Sequence, residues 1–291
     1  MPQAKPKPSE IAAEAKRVYI PWINSTMGDS SRSVLYPDSN CITVPQMQRS
    51  GSHPRIAVME GDAVDVALGW YQYSVQNVSE GTPVQRVPVV NMANEKRPGG
   101  DWESGLMAPE ECFARRSNLV SALPTSLYGY ASSHYPIPQT GGIYSPRVVV
   151  FRDGPDQYEI WREPKELPVI SVAPVRRPKL DETGTKYSFE QEKELMKEKM
   201  KTILRIAAYC KHKEICIGAF GIGPVFRNPV REVAHMWKEL LFATEEFLGA
   251  FNDVVFAIDI SQSSSSKTAA SDLETFKEVF DPSQIFHTSY R

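Results

Sequence analysis

The chain has 291 residues, 41% of them hydrophobic, which is enough for one large domain or two small ones with a substantial core. Lysine plus arginine (33) nearly balances aspartate plus glutamate (35), giving a formal charge of −2, so no global field recruits DNA or a membrane surface. No apolar run reaches the length of a membrane span, and four cysteines (Cys41, Cys112, Cys210, Cys216) without a CxxC spacing, beside five scattered histidines, make no zinc pattern; they read as reduced thiols of a cytoplasmic or nuclear protein.

Residues 1–8 are rich in proline and lysine and read as a disordered tail rather than a signal peptide. Residues 9–55 read as an N-terminal extension: a helix over 9–22 that stops near Pro21, then a loop-rich stretch with a short β-prone run at 41–44. The regular part, residues 56–291, opens on an apolar strand at 55–60, followed by Gly61-Asp62 and a helical pattern to Tyr71. A second strand is predicted over 87–93 and a helix from Pro109 to Leu123. Further strands are predicted at 143–153, broken once by Pro146, and at 167–173. An amphipathic helix with a solvated charged face spans 188–211. A strand at 214–219, a glycine loop at 220–229 and a helix at 230–250 follow. The chain closes with a strand at 253–258, a serine-rich loop at 261–266 and a helix at 272–280. Alternating strands and helices over some 230 residues make one α/β domain built on βαβ units. Ligands of such sheets bind beyond the carboxyl ends of the strands, where Asp62 and Asn94 both fall.

The chemistry concentrates in Asn91-Met92-Ala93-Asn94-Glu95-Lys96-Arg97-Pro98-Gly99-Gly100-Asp101, followed seven residues later by Pro109-Glu110-Glu111. Gly99-Gly100 lets the backbone come close to a ligand, and exposed N–H groups in such a loop suit a diphosphate. Pro109 suits the first position of a helix, placing Glu110 and Glu111 in its first turn as candidates for acid/base work. They could equally be ordinary carboxylates stabilising a helix dipole. A second loop, Gly218-Ala219-Phe220-Gly221-Ile222-Gly223-Pro224-Val225-Phe226-Arg227-Asn228-Pro229, repeats the strand–glycine–helix logic. Two such loops at one sheet edge could hold the two phosphates of one diphosphate. The order G-x-x-G-x-G, late in the chain and without an acidic residue about 20 positions on, weakens a dinucleotide-dehydrogenase reading.

These motifs resemble the microbial-type poly(ADP-ribose) glycohydrolases, whose macrodomain carries Gly-Gly-Gly, six to eight spacer residues and Gln-Glu-Glu. The second loop resembles that family's Gly-Ala-Trp/Phe-Gly-Cys-Gly-Ala-Phe-Gly-Asn-Pro, and Gly141-Gly142-Ile143-Tyr144-Ser145-Pro146 and Ser171-Val172-Ala173-Pro174 are family-like as well. The resemblance implies a macrodomain-like mixed β-sheet sandwiched between helices, with an N-terminal extension. It implies hydrolysis of the O-glycosidic ribose–ribose bond of poly(ADP-ribose) or a related ADP-ribosyl conjugate. Glu111 would be the acid/base, Glu110 the residue holding ribose hydroxyls, and no metal or redox cofactor would be required. The alternative is a non-catalytic ADP-ribose reader; a weaker one is an enzyme acting on a small ADP-ribose derivative. The implied partners are ADP-ribose, poly(ADP-ribose) and ADP-ribosylated proteins, with the chain a monomer.

The same resemblance places Gly99, Gly100, Asp101, Gly218, Ala219, Phe220, Gly221, Ile222, Gly223, Val225 and Phe226 around the substrate. Phe226 would stack on the ribose or adenine side, or be a buried loop aromatic. Asn94 would orient the distal ribose, or only form a turn. Asp62 would accept from the adenine amino group, or cap a helix. Three departures stand out. Pro109 replaces the signature glutamine and Arg227 a usual glycine. Asp101 replaces the third glycine, where a charge about 4 Å from a phosphate would cost roughly 1 to 4 kcal/mol unless it points away.

Overall fold

The computed structural model describes residues 6–28, 33–45, 53–79, 81–124, 133–260 and 266–285. Most of the proline/lysine tail and all but Ser266 of the serine-rich loop lie outside the described residues. Two helices open the chain, α1 (Pro8–Glu14) and α2 (Ile20–Thr26), joined by a π-helical stretch at Ala15–Tyr19. The sheet comprises β1 (Val34–Tyr36), β2 (Arg55–Glu60), β3 (Val89–Met92), β4 (Gly142–Arg152), β5 (Ile160–Val172), β6 (Glu214–Ile217) and β7 (Asp253–Ile258). The remaining helices are α3 (Ala63–Asn77), α4 (Pro109–Arg116), α5 (Leu119–Ala122), α6 (Glu190–Tyr209), α7 (Val230–Phe242), α8 (Ser266–Val279) and α9 (Pro282–Ile285).

The strand order is β1-β4-β5-β3-β6-β7-β2. β1, β4 and β5 pair antiparallel, while β5-β3-β6-β7-β2 run parallel. This is the mixed, helix-covered sheet expected of a macrodomain-like fold. Alternate residues of each strand face opposite layers. Val90, Met92, Ile215, Ile217, Val254 and Phe256 pack against α6, α7 and α8 around Trp237. Val89, Ala93, Cys216, Val255 and Ala257 pack on the other face with Val64, Phe113 and Leu119. A third cluster joins Ala12, Ile20 and Ile23 of the opening helices to Trp102, Ala114 and Phe151. The opening helices are thus clamped onto α4 and β4, and Arg152 reaches Glu14 at 2.6 Å.

Several predicted boundaries shift. The helix expected over 109–123 is two, because Ser117 leaves the helix to bridge Val150 and Asn118 Oδ1 accepts from Val149 N (2.7 Å). The β-prone run at 41–44 forms no strand. Asp38 caps a 3₁₀ turn at Ser39–Cys41, and the strand of that region is β1. β5 starts seven residues before the predicted 167, α7 stops at Phe242 before a 3₁₀ turn, and α8 begins at Ser266. The four cysteines are free thiols, and no helix among the described residues is long and apolar enough to cross a membrane.

Candidate active site

The site is built where β3 ends. Asn91 shares a face with Val89 and Ala93, the face that looks onto α4, and this parity sends a polar side chain toward the helix start. Its Nδ2 donates to Glu110 Oε1 (3.2 Å) and to Ser171 Oγ of the neighbouring strand (3.1 Å). Glu110 receives two further donors, Gly99 N on Oε1 (3.2 Å) and Asn94 N on Oε2 (2.6 Å). Only 3% exposed, it ties the strand end and the glycine loop to the helix. Glu111, at 6% exposure, accepts from Asp101 N at 3.1 Å. Pro109 stands in the first turn of α4, as its missing N–H permits.

The glycines are required by space as well as by conformation. Gly100 has φ +55°, and a Cβ built on it would lie 2.4 Å from Glu111 Oε1 and 3.4 Å from Glu110 Oε2. On Gly99, with φ +72°, a Cβ would meet Val120 at 2.6 Å. The loop therefore presses its bare backbone onto both carboxylates. Asp101 follows, but its side chain turns outward, 50% exposed, to pair with Arg97. The charge at the third-glycine position is offset by Arg97, and only the Asp101 N–H is spent on Glu111.

Burial raises both carboxyls, the Glu110 group to about 8, with Glu111 nearby adding to the rise; three N–H donors pull Glu110 back down. Glu111 is likewise raised by burial, opposed first by the Asp101 N–H and then by its own backbone N–H. Two carboxyls this close cannot both ionise easily, so at neutral pH the pair holds a proton. Both oxygens of Glu110 already accept from N–H groups, which suits its charged form, so the hydrogen bonds put that proton on Glu111.

The cleft above these groups is lined by Asn94, Asp101, Glu110, Glu111, Pro174, Arg176, Val225 and Phe226 among others. Half-buried Phe226 and Val225 bring the second loop to it. Gly99 and Gly100, buried against the two carboxylates, do not line it, nor do Gly218, Ala219, Phe220, Gly221, Ile222 and Gly223. Phe220, expected at the ligand, is 0% exposed and packs edge-on to Trp237, so it is a core aromatic. Gly221 N donates to Met92 Sδ (3.3 Å), which seats this loop under the cleft wall. Asp62 also lies outside the cleft lining. Its Oδ1 caps α3 through Val64 N (2.9 Å) and Asp65 N (3.2 Å) and pairs with the buried Arg116 (3.1 Å). Asn94 forms the turn, its Oδ1 accepting from Lys96 N and Arg97 N, and the residue also lines the cleft.

Three supporting groups were not singled out in the sequence. Asn91 was visible as a polar residue in an apolar strand. Arg115, 0% exposed, donates to Trp102 O (2.9 Å), Ser104 O (2.8 Å) and Leu106 O (2.7 Å), fixing the spacer between the glycine loop and Glu110. Its signal was a charge on the inward side of α4. Asn228 Nδ2 holds Val175 O (2.8 Å) and Gly221 O (2.7 Å), and Tyr187 donates to its Oδ1 (2.8 Å). Among the described residues no group of three or more His, Cys, Asp or Glu side chains could hold a metal ion.

A mixed sheet between helix layers, with a glycine loop closed over paired glutamates at the strand ends, places the chain among α/β proteins of macrodomain-like fold. Residues 11–153 match the family model of the microbial-type poly(ADP-ribose) glycohydrolase (PARG) catalytic domain; the span includes Gly99-Gly100-Asp101 and Pro109-Glu110-Glu111. The PARG of Thermomonospora curvata is 24% identical, with a TM-score of 0.70 over 94% of this chain and 99% of that one. The same enzyme bound to the inhibitor ADP-HPD gives 0.69. Deinococcus radiodurans PARG in complex with ADP-ribose is 23% identical, with a TM-score of 0.63 over 90% of this chain and 97% of that one. At these identities the likeness to the solved structures is one of fold, and it extends over the second half of the chain, beyond residue 153. No curated protein matches the sequence.

Proposed function

We propose that the chain is a poly(ADP-ribose) glycohydrolase that cleaves the ribose–ribose O-glycosidic bond and releases ADP-ribose, with Glu111 as its acid/base. The observation that carries this reading is the division between the two glutamates. Glu110 is locked by three N–H donors and turned into structure. Glu111 takes one hydrogen bond from a neighbouring residue, faces the same cleft and has a raised proton affinity.

Cleavage proceeds through an oxocarbenium-like state. Protonated Glu111 donates its proton to the departing ribose oxygen as the C–O bond breaks. The resulting carboxylate then takes a proton from water as the water oxygen bonds to the anomeric carbon, which restores Glu111. Glu110, charged and fixed, faces the ribose and accepts from its hydroxyls. The Gly99-Gly100 backbone holds the two glutamates from behind, Phe226 flanks the remainder of the ADP-ribosyl group, and Asn94 orients the ribose from the strand end. Asp101, neutralised by Arg97, leaves the phosphate approach open.

The test is release of ADP-ribose from poly(ADP-ribose) by the purified protein beside its Glu111→Gln variant. Release by the wild type alone supports the assignment. Binding of ADP-ribose without release by either protein would favour the reader.

A further inference from the structure

Most of the described arginines are already matched with acids. Arg55, Arg86, Arg97, Arg116, Arg147, Arg152, Arg205 and Arg231 each form an ion pair. Buried Arg115 is bonded to carbonyls. Of the few described arginines without an ion pair among the described residues, three gather at one edge of the cleft: Arg176, Arg177 and Arg227. All three are exposed. Arg176 lines the cleft itself, and Arg177 N donates to Phe226 O at 2.6 Å, which sets the loop after β5 directly against the loop that carries Arg227.

Their backbone adds a second observation. Arg177 has φ +53° and Arg227 φ +61°, a left-handed conformation that glycine adopts freely and long side chains rarely do. Two strained positions side by side both carry a guanidinium. Arg227 Nε reaches only the carbonyl of Pro224 in its own loop (3.2 Å). Three exposed guanidiniums at the mouth of a cleft whose reacting wall is acidic suit phosphate oxygens, which they can grip in bidentate fashion.

We propose that Arg176, Arg177 and Arg227 form a subsite for the diphosphate of the ADP-ribose unit adjoining the one being cleaved, so that the chain favours polymer over single ADP-ribosyl groups. The proposal rests on the glycohydrolase reading and goes beyond it in naming what lies outside the scissile unit. The same chemistry would also suit the diphosphate of the cleaved unit itself, and the two sources separate experimentally.

The test measures binding in the Glu111→Gln background, so that polymer survives, with poly(ADP-ribose) of defined length and ADP-ribose as probes. The neutral variant is Arg176→Gln with Arg177→Asn and Arg227→Asn, since asparagine tolerates the left-handed conformation. A triple Arg→Lys variant keeps the charge. We expect the neutral variant to lose roughly tenfold in polymer affinity and to flatten the slope of log Kd against log salt by about 2, as loss of three phosphate contacts on a flexible polyanion implies. ADP-ribose affinity should stay within about twofold, and the lysine variant should retain most of the salt slope. Equal losses for both probes would assign the arginines to the cleaved unit and overturn the proposal, as would no loss for either. Release of ADP-ribose by the otherwise wild-type enzyme is scored separately, so failure of the activity and failure of the subsite are distinct results.

Discussion

Replacing Gly100 by alanine perturbs the site by a single methyl group. The new Cβ would stand 2.4 Å from Glu111 Oε1 and 3.2 Å from Glu111 Cδ, so the carboxylate must retreat by at least about 0.6 Å to reach the shortest tolerable carbon–oxygen separation, or the loop must lift. Either movement strains or breaks the Asp101 N–H bond to Glu111, now 3.1 Å. The φ of +55° adds roughly 1–2 kcal/mol for an L side chain. A displacement of this order at a reacting group costs about 10²-fold in rate. We therefore expect Gly100→Ala to lower kcat on poly(ADP-ribose) about 100-fold, with a loss of roughly 2 kcal/mol in urea unfolding. Gly105→Ala is the control, because a Cβ there meets nothing within 4 Å; it should leave both quantities unchanged. Wild-type kcat in Gly100→Ala would refute the claim that the glycine loop sets the position of Glu111.

Arg115→Met leaves the carbonyls of Trp102, Ser104 and Leu106 without their donor. The expected loss is about 3 kcal/mol in urea unfolding together with reduced turnover, and a variant as stable as the wild type would show that the spacer needs no such anchor. The glutamate pair predicts two pH effects. Burial raises both carboxyls above the ordinary 4.5, so the folded pair keeps the proton that the hydrogen bonds place on Glu111 at pH values where the unfolded chain has lost it. This contribution to stability is fully present below about pH 4.5 and is lost as pH rises through the raised range of the pair, and thermal melts should show the decline flattened in Glu111→Gln. Turnover should fall as pH rises above the ordinary glutamate range, because Glu111 must be protonated to act as the acid; a rate that climbs through pH 8 would contradict this.

Much of the site was legible because its residues sit at chain positions where local rules and chemistry agree. Pro109 fits a helix start, the glutamates fit the turn after it, and glycine fits a backbone in contact with them. The β3 strand and its neighbours were legible from apolar runs, and the mixed sheet followed from the resemblance. What failed depended on distant partners. The break at Ser117-Asn118 is imposed by β4 through Val149 and Val150, which no local pattern in 109–123 encodes. Phe220 and Phe226 are both loop aromatics six residues apart, yet one meets Trp237 and the other the cleft; only packing separates them. The Arg97–Asp101 pair was within reach, since the two stand four residues apart, but in a loop that spacing does not fix a contact.

The division of labour between the two glutamates is tested most directly by measuring, for Glu110→Gln and Glu111→Gln side by side, the Kd for ADP-ribose and the rate of its release from poly(ADP-ribose). Glu111→Gln should bind within about twofold of wild type and release nothing above background, whereas Glu110→Gln, which disturbs three buried donors, should weaken binding at least tenfold and lose release as well. Release that survives in Glu111→Gln would contradict the account.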